Sequence, residues 1–237
     1  MIRAVFFDFY GTLADWPTAE SLQQAAAAAE GIAIEQAAIA AGYRTANAYM
    51  DEENAKRPVQ QRTQPERDAF FAEYERRLLT DAGAAGVSLD VAARVWQRVR
   101  SAPDELTLLP DAEAALADLR SLGLTLGVIS NMGLELNGLL ERLGIAGYLP
   151  VRSCTATAGV SKPHPRIFQL ALAQARAQPA EAVHIGDSIP ADVEGARSAG
   201  IEAVLVQREP GPPPPNGVRV VASLTEAAAH VRSLVGG

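Results

Sequence analysis

Ala4-Val5-Phe6-Phe7-Asp8-Phe9-Tyr10-Gly11-Thr12-Leu13 decides the reading of the fold. Four apolar residues in a row, cut by a carboxylate and then by a Gly-Thr turn, predict a short buried strand that delivers Asp8 to its C-terminal end. A turn of this kind offers backbone N–H groups and a hydroxyl to an anion. An Asp after a strand is also a common turn former, so this segment alone supports both readings.

Working outward, short apolar runs recur at residues 124–129, 148–151, 182–185 and 203–206, and read as further buried strands. Amphipathic helices lie between them. Residues 111–122 put Ala112, Leu116 and Leu119 on one face, and 134–143 align Leu136, Leu139, Leu140 and Leu143 before Gly144, a C-terminal stop. Strands alternating with helices imply parallel pairing, hence a doubly wound α/β sheet.

One long segment breaks the alternation. From residue 16 to 103 the pattern is helical throughout. Thr63-Gln64-Pro65-Glu66 is a capping box opening a helix that stacks Phe70, Tyr74 and Leu78, and Val91, Val95 and Val99 repeat at helical spacing in the next. An insert directly after the first strand suits a lid over the strand ends, where α/β proteins bind ligands. The expected division is therefore an α/β core of residues 1–15 and 104–237 with a helical cap at 16–103. The proline-rich run at 210–217 reads first as a stiff surface loop and second as a polyproline ligand for a recognition domain, before an edge strand at 218–221 and a last helix at 224–234.

Bulk properties narrow the class. With 237 residues and 48% hydrophobic content, the chain can bury a core that needs no disulfide or structural metal. Cys154 is the only cysteine, which suits a reducing compartment and rules out an intramolecular disulfide. A net charge of −7 argues against nucleic acid or an anionic membrane as partner. It leaves room for a small anionic substrate, because a bound cation can invert the field of one pocket. The N-terminal apolar run is cut at once by Asp8 and resembles no signal peptide. The expectation is a cytoplasmic protein.

Three more segments carry candidate chemistry. Ser130-Asn131 follows a strand; Ser130 can bind an anionic oxygen or cap the next helix. Lys162-Pro163-His164-Pro165 opens a helix, where a lysine opposes the helix dipole, so Lys162 reads as a functional charge and His164 as a surface or capping residue. Gly186-Asp187-Ser188-Ile189-Pro190-Ala191-Asp192 follows another strand. Asp187 and Asp192 read either as a cap and a surface charge or, with Asp8, as oxygen ligands for a hard cation. All four segments follow parallel strands, so their side chains should gather at one edge of the sheet. Three carboxylates against one lysine leave a surplus of negative charge that a divalent cation would relieve.

In these four motifs, in this order, the sequence resembles the haloacid dehalogenase superfamily of hydrolases. The resemblance spans about residues 3–15 and 106–206, and the helical insert resembles the cap of many members. It implies that Asp8 is the nucleophile of a covalent aspartyl intermediate. It implies magnesium held by Asp8, the Tyr10 carbonyl and Asp187, with Asp192 helping directly or through water. Lys162, Thr12 and Ser130, followed by Asn131, would hold the transferring group.

The first motif departs from the phosphatase pattern, which has a second Asp where this chain has Tyr10. That Asp protonates the leaving group and then activates water, and a tyrosine of ordinary pKa about 10 is a poor base at neutral pH. Two-haloacid dehalogenases of the superfamily do carry Tyr there. They usually lack the Gly-Asp of the last motif, however, and tend to have Tyr where this chain has Phe168; Arg44 would be a candidate for their carboxylate-gripping arginine. The metal motif puts magnesium-dependent hydrolysis of a small phosphate ester first. Metal-independent carbon–halogen hydrolysis is the alternative, and a degenerate member that binds a phosphorylated ligand without turnover is the third reading.

Overall fold

The computed structural model describes residues 1–17, 19–102, 106–209 and 213–235. The chain divides into two compact units, one formed by Met1–Asp15 with Thr107–Gly237 and the other by Trp16–Leu106.

The second unit is helical: α1 (Ala19–Ala28), α2 (Gln36–Lys56), α3 (Gln64–Asp81) and α4 (Leu89–Arg100). The capping box forms as expected, with the Thr63 N–H donating to the Glu66 carboxylate at 2.7 Å. Phe70, Tyr74 and Leu78 are all buried, and Ile39, Leu79 and Val95 join the core of this unit. Helices α2 and α3 approach so closely at Gly42 that any side chain there would run into the Leu78 carbonyl. Glu75 is buried too, and takes a hydrogen bond from Gln23 of α1.

The first unit holds β1 (Ala4–Phe7), β2 (Ala14–Asp15), β3 (Thr107–Leu108), α5 (Ala112–Ser121), β4 (Thr125–Ser130), α6 (Leu136–Arg142) and β5 (Val151–Cys154). It continues with α7 (Thr155–Ala158), α8 (Pro165–Ala175), β6 (Ala182–Gly186), α9 (Gly195–Ser198), β7 (Glu202–Val206), β8 (Arg219–Val221) and α10 (Leu224–Val235). Among the described residues six strands form one parallel sheet in the order β5-β4-β1-β6-β7-β8. Strand order therefore reverses beside β1, with β4 on one side and β6 on the other. A crevice opens at such a switch point, outside the carboxyl ends of the strands. Phe6 and Phe7 are fully buried in β1, each worth about 2–3 kcal/mol of apolar burial.

Several boundaries differ from the sequence reading, for identifiable reasons. The strand expected at 148–151 begins only at Val151. Tyr148 and Leu149 close turns onto Ile145 and Ala146, and Pro150 has no N–H for a ladder. A two-residue antiparallel ribbon, Ala14–Asp15 against Thr107–Leu108, was not anticipated; it pairs the point where the chain leaves this unit with the point where it returns. The expected core boundary at 103–104 and residues 210–212 of the proline-rich loop lie outside the described residues. No described helix is long and apolar enough to cross a membrane.

Candidate active site

Three of the motifs lie at the ends of neighbouring strands of the same parallel sheet, β1, β4 and β6, while Lys162 reaches them from the turn between α7 and α8. The Asp8 N–H donates to the Ile185 carbonyl at 2.9 Å, which ties the end of β1 to β6 just before Gly186. Beyond Asp8 the chain turns back, with the Phe9 carbonyl accepting from the N–H groups of Leu13 (2.8 Å) and Ala14 (3.0 Å). Gly11 takes φ +76° in that turn, and the Asp187 carboxylate packs so near that a side chain on residue 11 would collide with it. Gly186 is confined likewise, because a side chain there would overlap the Asp192 carboxylate.

Lys162 is the hub. Its side chain is only 3% exposed, and its ammonium donates to Asp8 Oδ1 and, at 2.7 Å, to Asp192 Oδ1. Asn131 fixes the main chain of the same residue from the end of β4. Ser130 is buried in the last position of β4. It does not cap the next helix, since α6 starts at Leu136 behind Glu135. Thr12 is fully buried, and its hydroxyl lies 3.5 Å from Asp187 Oδ1. Tyr10 is half-buried, its ring edge-on to that of Phe9.

The bland readings of the last motif fail on geometry. Ser188, not Asp187, caps the segment, its Oγ accepting from the Ala191 N–H at 3.1 Å. Asp192 sits in a π-helical turn, Ile189–Glu194, which swings it inward until it is 1% exposed. A surface charge would not be placed there. His164, as expected, is exposed and caps α8 through Nδ1, accepting from the Arg166 N–H. Arg44 is exposed on α2.

Sequence reasoning missed His184. It lies in the middle of β6, fully buried, with Nε2 2.8 Å from Asp192 Oδ1. A histidine flanked by Val183 and Ile185 carries no local signal beyond that of a core residue.

The electrostatics follow from this crowding. Burial raises the Asp8 carboxyl to about 6 against the pull of the Lys162 ammonium, and the charge of Asp192 adds to the rise. Burial also opposes ionisation of Asp192, but Lys162 and His184 outweigh it and hold this carboxyl below the usual range. Burial works against the Lys162 charge as well, yet Asp192 and Asp8 keep its pKa above the ordinary lysine value. Loss of surrounding water, then the charges of Asp8 and Asp192, push Asp187 well above the carboxylate range. Because Asp187 stays open to solvent, repulsion by its two neighbours is the more durable of these causes.

One oxygen from each of Asp8, Asp187 and Asp192 lies within 4.8 Å of the others. Three carboxylates on one lysine are under-neutralised, and oxygen donors at this spacing fit a hard divalent cation. Asp192 already accepts from Lys162, His184 and the Ser188 N–H. Asp8 and Asp187 are the freer donors.

A haloacid dehalogenase-like hydrolase family model matches residues 2–200, across all four motifs. The chain belongs to that family. The chain is 31% identical over 209 residues to a glyceraldehyde 3-phosphate phosphatase of Methanopyrus kandleri, covering 88% of this chain and 85% of the relative. It is 36% identical over 134 residues to a phosphoserine phosphatase of Thermus thermophilus, covering 56% of this chain and 53% of the relative. Against other curated relatives of the family it spans less than half of their length, 44% and 42% in two cases. In structure the chain superposes on L-2-haloacid dehalogenase from Xanthobacter autotrophicus with a TM-score of 0.67 at 23% identity, covering 99% of this chain and 100% of that one. At that identity the likeness speaks for the fold alone.

Proposed function

We propose that this hydrolase cleaves a small anionic phosphate ester, with Asp8 as nucleophile and magnesium as cofactor. The observation that carries the reading is the cluster of Asp8, Asp187 and Asp192, one oxygen of each within 4.8 Å of the others, with Lys162 bound to two of the three. Carbon–halogen hydrolysis has no need of so costly a carboxylate surplus. The phosphatase name of the Methanopyrus kandleri relative, matched over 85% of its length, points the same way.

Asp8 would attack phosphorus and expel the alcohol, and water would then cleave the acyl-phosphate to regenerate the carboxylate. Lys162, Thr12 and Ser130 would hold the phosphoryl oxygens as charge develops on them. A magnesium ion would be held by Asp8, Asp187 and the Tyr10 carbonyl, with Asp192 acting through water, and would supply positive charge to the phosphoryl group. Asn131 orients Lys162 through its main chain. The helical unit is assigned the role of substrate-selecting cap, from its insertion between Asp15 and Thr107.

Tyr10 keeps 2-haloacid hydrolysis as a second reading, because halide leaves without needing a proton. A panel of phosphate esters and 2-haloacids, scored for phosphate and halide release with magnesium and with chelator, decides between the two. Phosphate release that stops on chelation is expected. Halide release that persists in chelator would replace the proposal with the second reading.

A further inference from the structure

His184 lies in β6 between the aliphatic Val183 and Ile185. It faces Phe6 of β1 and Ala203 of β7 in register at the centre of the sheet, and it is fully buried. The Phe168 ring stands edge-on to it, centroids 5.1 Å apart. Its Nδ1 has no hydrogen-bond partner. A buried polar atom left unpaired is unfavourable, so stability alone does not account for a histidine here. The other ring nitrogen does. A carboxylate oxygen only accepts, so Nε2, 2.8 Å from Asp192 Oδ1, must carry the hydrogen.

That one oxygen also accepts from Lys162 Nζ at 2.7 Å, while Oδ2 accepts from the Ser188 N–H at 3.0 Å. Three donors on one carboxylate leave it no freedom to rotate. Lys162 is in turn divided between Asp192 and Asp8. An Asp192 free to turn would loosen its hold on the ammonium, which would then settle on Asp8 as a closed ion pair. An oxygen clasped in that way is a poorer nucleophile.

We propose that His184 is a positioning residue: donating Nε2–H to Asp192, it fixes the carboxylate that holds Lys162 between the two aspartates. It acts through Asp192 and touches no substrate. The inference rests on the reading of Asp8 and Lys162 as the reacting centre, whichever leaving group that centre expels.

Two substitutions separate positioning from packing. His184→Leu fills the space without a donor, and His184→Gln returns an N–H near the place of Nε2. With the activity found on the substrate panel, His184→Leu should lower kcat by roughly 10- to 100-fold with KM little changed, as loss of an orienting partner does. His184→Gln should recover most of that loss, even where its melting temperature is the lower of the two. Equal rates in the two variants, or a wild-type rate in His184→Leu, would overturn the proposal. Nitrogen-15 NMR of the histidine ring reads the same contact without variants at this position and without turnover. Nε2 should be protonated and Nδ1 bare, and Asp192→Asn should shift the Nε2–H resonance. A hydrogen on Nδ1, or a resonance indifferent to Asp192→Asn, would refute the contact even in a protein with full phosphatase activity. An intact contact in a protein that releases no phosphate would instead tell against the phosphatase reading.

Discussion

Asn131 clasps Lys162 with both ends of one amide: Oδ1 accepts from the Lys162 N–H at 2.6 Å, and Nδ2 donates to the Lys162 carbonyl at 3.2 Å. The two residues come from different segments, one directly after β4 and the other between α7 and α8. The clasp joins them, so the lysine enters the site from a fixed backbone rather than from a loose loop.

Asn131→Ala should therefore slow turnover by up to about 10²-fold, the scale on which small misplacements of a reacting group act. Loss of the two hydrogen bonds should also cost about 1–3 kcal/mol of stability. Kinetics and urea denaturation of the same variant test both. A normal rate in a destabilised protein would confine Asn131 to a structural role.

Asp8→Asn should abolish turnover of every substrate, since an amide oxygen does not serve as the nucleophile. The fold should survive, because Lys162 keeps its partner Asp192. Near wild-type activity in this variant would show that the reacting group lies elsewhere.

Removal of metal supplies a third expectation. Asp187 is the solvent-open member of the carboxylate cluster, with the Thr12 hydroxyl 3.5 Å from its Oδ1. Asp187→Asn should weaken magnesium binding, measured by calorimetry, and chelator should silence the wild type. Unchanged magnesium affinity would place the ion outside this cluster.

Tyr10 stands where a phosphatase of the family has its acid and base. Aryl phosphates, which leave without much protonation, should then react far faster than alkyl phosphates, with a burst as phospho-aspartate accumulates. Tyr10→Asp should speed turnover, by up to roughly 10²-fold if the new carboxylate is well placed. Assays of both proteins on one aryl phosphate and one 2-haloacid check this. Slower phosphate release in a folded, magnesium-binding Tyr10→Asp would mean that Tyr10 shapes the pocket instead.

Glu75 gives the helical unit its own pH dependence. Burial raises its carboxyl from 4.5 to about 7, with Gln23 pulling the other way. The folded state thus keeps a proton that the unfolded state gives up above 4.5. Stability is full below that pH, declines as the pH rises towards 7, and is lost by about 3 kcal/mol above it. Glu75→Gln should remove this decline, raising the melting temperature at pH 8 relative to wild type and leaving it nearly unchanged at pH 4. The same difference at both pH values would contradict the assignment.

The sequence by itself determined the local elements and the set of reacting groups. Apolar runs mark β1, β4, β6 and β7 because strands buried on both faces exclude polar residues, and parallel pairing then sends Asp8, Ser130 and Asp187 to the same edge. Lys162 was legible because a lysine at a helix start opposes the dipole. Only the tertiary structure decided which groups touch. Strand order, with its reversal beside β1, depends on pairings between distant segments that no local pattern records. The π-helical turn that buries Asp192 comes from packing after β6, where the sequence shows only an ordinary capped helix start. His184 shows the limit most clearly: in the strand pattern it is one residue of a core run, and it becomes part of the site only because Asp192 folds back onto it from eight residues away.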